Sequence, residues 1–158
     1  MSRIDRRAFI RGALAGAGAM AFTWGDKFPT SLLGSPVERI GAADRVVLGN
    51  SGIVTSRLAI GSGTHGVNKS SNQTKLGLEK FVGLIRHGYE RGITFWETAD
   101  QYGSHPHYRE ALNYVPREKV VILTKSTTRD AAGMKADIER FRRELNTDTI
   151  DILLLHFL

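Results

Sequence analysis

From Arg45 to His156, short apolar runs of strand length alternate with stretches in which apolar residues recur every three or four positions. This alternation constrains the fold more than anything else in the chain. Val46-Val47-Leu48 and Ile53-Val54 flank Gly49-Asn50-Ser51-Gly52, the punctuation of a β-hairpin. A short strand over Arg57 to Ile60 then runs into Gly61-Ser62-Gly63. Leu78, Phe81, Val82, Ile85 and Tyr89 fall on one helical stripe, which Gly92 stops. Ile93 to Trp96 predicts a second strand, and His107 to Asn113 a short helix with Pro116 beyond it. Val120 to Leu123 is a continuous apolar run of the kind found in strands buried on both faces. Met134, Ile138, Phe141 and Leu145 mark an amphipathic helix, and Ile150 with Ile152 to Leu155 a fourth strand. Four strands with helices between them predict a parallel sheet in an α/β fold.

Chemistry in such folds gathers at the carboxyl ends of the strands. Gly61-Ser62-Gly63-Thr64 follows the first strand; Glu97, Asp100 and Tyr102 follow the second; Lys125 ends the third and His156 the fourth. Taken singly, each has an ordinary explanation: an edge tyrosine, a solvated lysine, a satisfied core histidine. A carboxylate, a phenol, an ammonium and an imidazole at successive strand ends point instead to a site. His105-Pro106-His107 suggests metal ligation, but the proline and the lack of an obvious carboxylate partner argue against it, and no metal is expected. Gly61-x-Gly63 is not a dinucleotide fingerprint, because the third glycine and the later acidic residue do not follow suitably.

The net charge of +6 is concentrated at the start, where Arg3, Arg6, Arg7 and Arg11 face only Asp5. The remaining bases are scattered and no aromatic interleaves them, which excludes a nucleic-acid stripe. There are no cysteines, so disulfides, thiolate metal sites and iron–sulfur clusters held by this chain are excluded. Behind the arginines, Gly12 to Phe22 carries no charge and has eleven residues, short of the roughly 20 that cross a bilayer. A basic segment before a short apolar run is the layout of a secretory signal. Arg6-Arg7 before Phe9-Ile10 resembles a twin-arginine signal, which implies the twin-arginine export machinery as a partner and the periplasm or cell envelope as destination. Residues 1–30 are assigned to that signal, with Ala19-Met20-Ala21 as a candidate cleavage site and no membrane span expected after cleavage. Residues 31–44, with Pro36 and no period, read as a linker.

Gly92-Ile93-Thr94-Phe95-Trp96-Glu97-Thr98-Ala99-Asp100-Gln101-Tyr102-Gly103 resembles the signature of the aldo-keto reductases. Thr124-Lys125-Ser126 is similar to that family's third-strand lysine segment, and Asp148 to His156 to its fourth-strand segment. With the hairpin, the resemblance covers residues 45–158. It implies a (β/α)8 TIM barrel of which this chain holds the N-terminal hairpin and the first four strands, and NADPH- or NADH-dependent reduction of a small carbonyl substrate. The resemblance makes Tyr102 the general acid, with Lys125 stabilising its phenolate, Glu97 holding Lys125, and His156 orienting the carbonyl. Gly61, Ser62, Gly63, Thr64 and Glu97 would lie at the cofactor. The family has Asp where this chain has Glu97, so the carboxylate sits one methylene farther out. Asp100 is a possible substitute, expected to face solvent. Because a barrel of this type takes about 250 residues, the chain is expected to be a fragment that is inactive by itself. The alternative is a non-catalytic relative that serves as cofactor sensor or scaffold.

Overall fold

The computed structural model describes residues 39–157. The expected export signal (1–30) and the linker as far as residue 38 lie outside the described residues. In the remainder of the linker the Asp44 carboxylate accepts the Gly41 N–H at 2.7 Å and closes a turn.

Strands β1 (Arg45–Val47) and β2 (Val54–Ser56) pair antiparallel, with Arg45 opposite Ser56. The turn between them needs Gly49 and Gly52, whose φ values of 54° and 75° are in the left-handed region. Ser56 fastens this hairpin to the rest. Its hydroxyl accepts the N–H groups of Thr94 at 2.9 Å and Phe95 at 3.1 Å, and donates to the Leu58 carbonyl at 2.7 Å. The hairpin therefore sits at the N-terminal end of the next sheet, away from the strand ends that carry the ionisable residues.

That sheet has four parallel strands in sequence order: β3 (Ala59–Gly61), β4 (Phe95–Glu97), β5 (Val121–Ser126) and β6 (Ile152–Leu155). Helix α1 (Leu78–Glu90) joins β3 to β4, α2 (His105–Ala111) joins β4 to β5, and α3 (Ala131–Leu145) joins β5 to β6. The alternation read from the sequence is an α/β parallel sheet. Boundaries differ by a few residues, most clearly at α2, which starts before Pro106 instead of after it. Proline at the start of a helix loses no hydrogen bond, because the first N–H groups have no intrahelical partner.

The core lies between the sheet and the helices. Phe81, Val82 and Ile85 of α1, Tyr108 and Ala111 of α2 and Leu145 of α3 pack on Trp96 and Ile122. Burying each large apolar side chain contributes about 1.5–3 kcal/mol. The Tyr108 ring lies 5.5 Å from Trp96 and 5.9 Å, edge-on, from Phe81. Gly88 lets α1 approach β3, since a Cβ there would strike the Ile60 side chain. Asp130 caps α3 by accepting the Gly133 N–H at 2.8 Å. Leu78 on the α1 stripe is exposed.

Strand β5 departs from the sequence reading. Ile122, Thr124 and Ser126 are buried against the helices, whereas Val121, Leu123 and Lys125 are only partly buried. The described residues cover one face of the strand, not both. The partly buried face is the one that carries Lys125. No helix among the described residues is long and apolar enough to cross a membrane.

Candidate active site

Parallel register brings the strand ends level: Gly61 is opposite Glu97, Glu97 opposite Leu123, and Lys125 opposite Leu154. The Thr98 N–H donates to the Leu123 carbonyl at 2.8 Å, which keeps the end of β4 against β5. Lys125 and Glu97 consequently meet in an ion pair, with the lysine side chain 15% exposed. The ammonium has three protons to place. It donates to the Glu97 carboxylate, to the Thr98 carbonyl at 3.1 Å and to the Tyr102 hydroxyl at 3.4 Å. Glu97, one methylene longer than the family's aspartate, reaches the ammonium.

Tyr102 ends a 3₁₀ turn, Asp100–Tyr102, which Gly103 closes at φ 65°. The loop after β3 fits around its ring. A Cβ on Gly63 or Gly66 would run into the Tyr102 ring, so both positions must lack a side chain. Lys69 fastens the same loop: its N–H donates to the Gln101 carbonyl at 2.8 Å and its ammonium to Asp100. Lys69 holds φ 60° to do this. Gly103 is needed opposite, because a Cβ there would collide with the Lys69 carbonyl.

His156 arrives from the end of β6, where its N–H donates to the Ser126 carbonyl at 2.7 Å. Its Nε2 lies 3.4 Å from the Tyr102 hydroxyl and its ring meets the tyrosine edge-on at 5.3 Å. Burial, and then the Lys125 charge, push the imidazole below its ordinary pKa, with Glu97 acting in the other direction. Burial and the Lys125 charge thus favour the neutral imidazole. Its Nδ1 is buried and has no hydrogen-bond partner among the described residues.

The four strand-end residues expected from the sequence thus converge: Lys125 and His156 each lie 3.4 Å from the Tyr102 hydroxyl, and Glu97 joins them through its ion pair with Lys125. The turn Gly61 to Thr64 divides. Gly61 is exposed, and among the described residues, its chain neighbours aside, a Cβ built there would meet only the Glu97 Oε2, at 3.3 Å. Ser62 is buried, its hydroxyl donating to the Glu97 carbonyl at 3.0 Å. Ser104 lies 2.8 Å from Ser62 and 2.5 Å from Thr98. One proton per hydroxyl then orders the chain as Thr98 to Ser104 to Ser62 to the Glu97 carbonyl. Tyr108 donates to the same carbonyl at 3.0 Å, so the backbone under Glu97 is fixed from two sides. Burial pushes the Tyr108 phenol far above its usual range. Thr64 donates its N–H to the Gln73 side chain at 3.1 Å and accepts back from it at 2.8 Å. Ser62 and Thr64 thus have side chains committed within the fold, and Gly61 offers open backbone.

Asp100 does not face solvent. Its carboxylate is 17% exposed and paired with Lys69 and Arg140. Burial opposes its ionisation, but the hydrogen bonds from Arg140 and Lys69 outweigh that and hold the carboxyl below the usual range. Close by, His105 has the carboxylate partner that the sequence did not reveal: Nδ1 lies 2.5 Å from Glu144 and Nε2 2.8 Å from the Thr124 hydroxyl. Asp100, His105 and Glu144 bring potential ligand atoms within 4.8 Å of one another. Both imidazole nitrogens are engaged, by Glu144 and Thr124, and the Arg140 guanidinium bridges both carboxylates, so each of these groups already has a protein partner. His107 takes no part in the group.

The Aldo/keto reductase family profile matches residues 59–158. Aldo-keto reductase AFTS1 of Alternaria alternata is 30% identical, over 77% of this chain and 44% of that protein. Methylglyoxal reductase YeaE of Escherichia coli K12 is 36% identical, over 63% of this chain and 35% of its own length. The chain therefore spans less than half the length of these relatives. Among solved structures, a putative aldo-keto reductase from Pseudomonas aeruginosa superposes with a TM-score of 0.60 and 25% identity, over 72% of this chain and 46% of that one. The Bombyx mori aldo-keto reductase in complex with NADP gives a TM-score of 0.60 at 22% identity, over 74% and 39% of the two chains, a likeness of fold. The parallel α/β sheet described here fits part of the TIM barrel of these structural neighbours. By its matched residues and by its fold, the chain belongs to the aldo/keto reductase family.

Proposed function

We propose that the protein reduces aldehyde or ketone carbonyls with NADPH, or alternatively NADH, and that Tyr102, Lys125, Glu97 and His156 carry the reaction. The observation that supports this best is the Tyr102 hydroxyl, which stands 3.4 Å from both the Lys125 ammonium and the His156 imidazole. The three groups leave one oxygen able to give a proton while a fixed cation faces the anion left behind. Catalytic hydrogen bonds in ligand-free sites are often long and tighten with substrate.

When bound, the nicotinamide cofactor supplies the hydride. Gly61, the backbone of Ser62 to Thr64 and the Glu97 side are the parts of this chain that would hold it, since Gly61 presents no side chain and, among the described residues, only the Glu97 carboxylate comes near a Cβ placed there. The steps that belong to this chain concern the substrate oxygen. Neutral His156 carries one N–H; borne on Nε2, it donates to the carbonyl oxygen and sets its orientation beside Tyr102. The Tyr102 O–H gives its proton to that oxygen as negative charge develops, and the phenolate is stabilised by Lys125. Glu97 and the Thr98 carbonyl keep the ammonium directed at the phenol throughout. The test is NAD(P)H oxidation by the full-length gene product over a panel of small carbonyls, with Tyr102→Phe as the deciding variant.

We further propose that residues 1–30 act as a twin-arginine export signal and residues 31–44 as a linker, on the strength of Arg6-Arg7 and the uncharged run after them. The periplasm or cell envelope is the corresponding destination.

A further inference from the structure

Arg140 lies on α3 and hydrogen-bonds neither Tyr102 nor Lys125 directly, yet its partners lead toward both. One of its terminal nitrogens donates to Asp100 at 2.7 Å and to Glu144 at 2.8 Å; the other donates to Asp137 at 2.7 Å. Each carboxylate leads on to a position beside the site. Asp100 opens the turn that ends in Tyr102. Glu144 meets His105, which meets the hydroxyl of Thr124, the residue before Lys125. Asp137 accepts the hydroxyl of Ser126, the residue after Lys125, at 2.5 Å, and that of Thr128 at 2.7 Å. Thr124, Ser126 and His105 are buried, so the inner ends of these links are shielded from bulk water. The guanidinium fork suits this task, because its rigid plane presents several donors in fixed directions and a lysine cannot.

We propose that Arg140 is a positioning residue for the reaction: it clamps both neighbours of Lys125 and the turn that carries Tyr102 to one helix, and so sets the spacing of ammonium and phenol. The proposal rests on the reading of Tyr102 as proton donor. Asp100, Asp137 and Glu144 are each held below the usual carboxylate range, with hydrogen bonds to Arg140 among the causes, which agrees with a fully charged clamp. The other arginine pair on the helix makes a control. Arg142 bonds Glu139 and Asp148, neither of which leads to the site.

The experiment compares the full-length wild type with Arg140→Met and Arg142→Met, each carrying 3-fluorotyrosine. The position-102 ¹⁹F resonance is assigned by its loss in Tyr102→Phe. The expected result is a displaced Tyr102 resonance in Arg140→Met and an unmoved one in Arg142→Met. In turnover, kcat for carbonyl reduction is expected to fall about 10-fold or more in Arg140→Met, with cofactor KM unchanged, because misplacement acts on the proton-transfer step. A Tyr102 resonance identical in wild type and folded Arg140→Met overturns the positioning role. So does equal displacement in both variants, which would reflect general loosening of α3. A wild type that reduces no carbonyl defeats the proposed activity instead, and the fluorine spectra still decide the clamp.

Discussion

The Lys125 ammonium lies over the Tyr102 ring, 4.9 Å from its centre, and is closer still to its hydroxyl, at 3.4 Å, so the cation faces the oxygen end of the phenol. An ammonium so placed favours the negative oxygen over the neutral one, which is the differential stabilisation that proton donation requires.

Lys125→Met is therefore expected to cut carbonyl reduction by about 10²-fold or more, as for loss of acid catalysis, while cofactor binding followed by fluorescence persists. Glu97→Asp restores the family's residue and is expected to be mild or slightly faster. Turnover of Lys125→Met near that of wild type would remove the ammonium from the mechanism.

A methyl group at Gly63 has nowhere to go except into the Tyr102 ring. Gly63→Ala should displace the phenol and lower kcat by about 10- to 100-fold, the scale of a misplacement near 1 Å. Gly49→Ala, in the hairpin turn far from the site, should leave kcat unchanged. Equal kcat in Gly63→Ala and wild type would show that the ring does not depend on the glycine.

How much of this was legible in the sequence follows from the range of the interactions. The strand–helix alternation is local, set by apolar period, and it located every strand of the parallel sheet. The four strand-end residues were readable because parallel register carries successive strand ends to one side. Asp100 was misplaced because its partners come from elsewhere: Lys69 is 31 positions before it and Arg140 is 40 after it. Arg140 itself lies at i+3 from Asp137 and i−4 from Glu144, which in sequence is the ordinary pattern of a solvated helix face. Val120 to Leu123 read as doubly buried because apolar composition alone does not say which face is covered. The need for glycine at Gly63 and Gly66 was invisible, since the ring they admit belongs to the next βα unit. The expectations for residues 1–38 remain proposals from the arginine pair and the uncharged run.

Acid should weaken the fold through the same clamp. Asp100, Asp137 and Glu144 are held below their unfolded values. The stability they lend is thus present above about pH 5 and is lost as pH falls through their folded values. Between pH 5 and pH 3 the Tm of Arg140→Met should fall less steeply than that of wild type. Parallel Tm curves for the two would contradict a clamp built on ionised carboxylates.

Export is tested by fusing residues 1–40 to a reporter that is active only after folded transport. The fusion should reach the far side of the inner membrane, and Arg6→Lys with Arg7→Lys together should stop it. Undiminished export of the double variant would exclude the twin-arginine route.

The central claim is that the Tyr102 hydroxyl delivers the proton, and one substitution addresses it most directly. Tyr102→Phe removes that oxygen and keeps the ring that Gly63 and Gly66 enclose. In the full-length gene product, NADPH and NADH oxidation over a panel of small aldehydes and ketones should fall by about 10²-fold or more, as expected when a general acid is lost, with cofactor affinity and Tm close to wild type. Full turnover by Tyr102→Phe alongside an active wild type would contradict the account. A wild type that binds cofactor and reduces nothing across the panel would favour a sensor or scaffold instead.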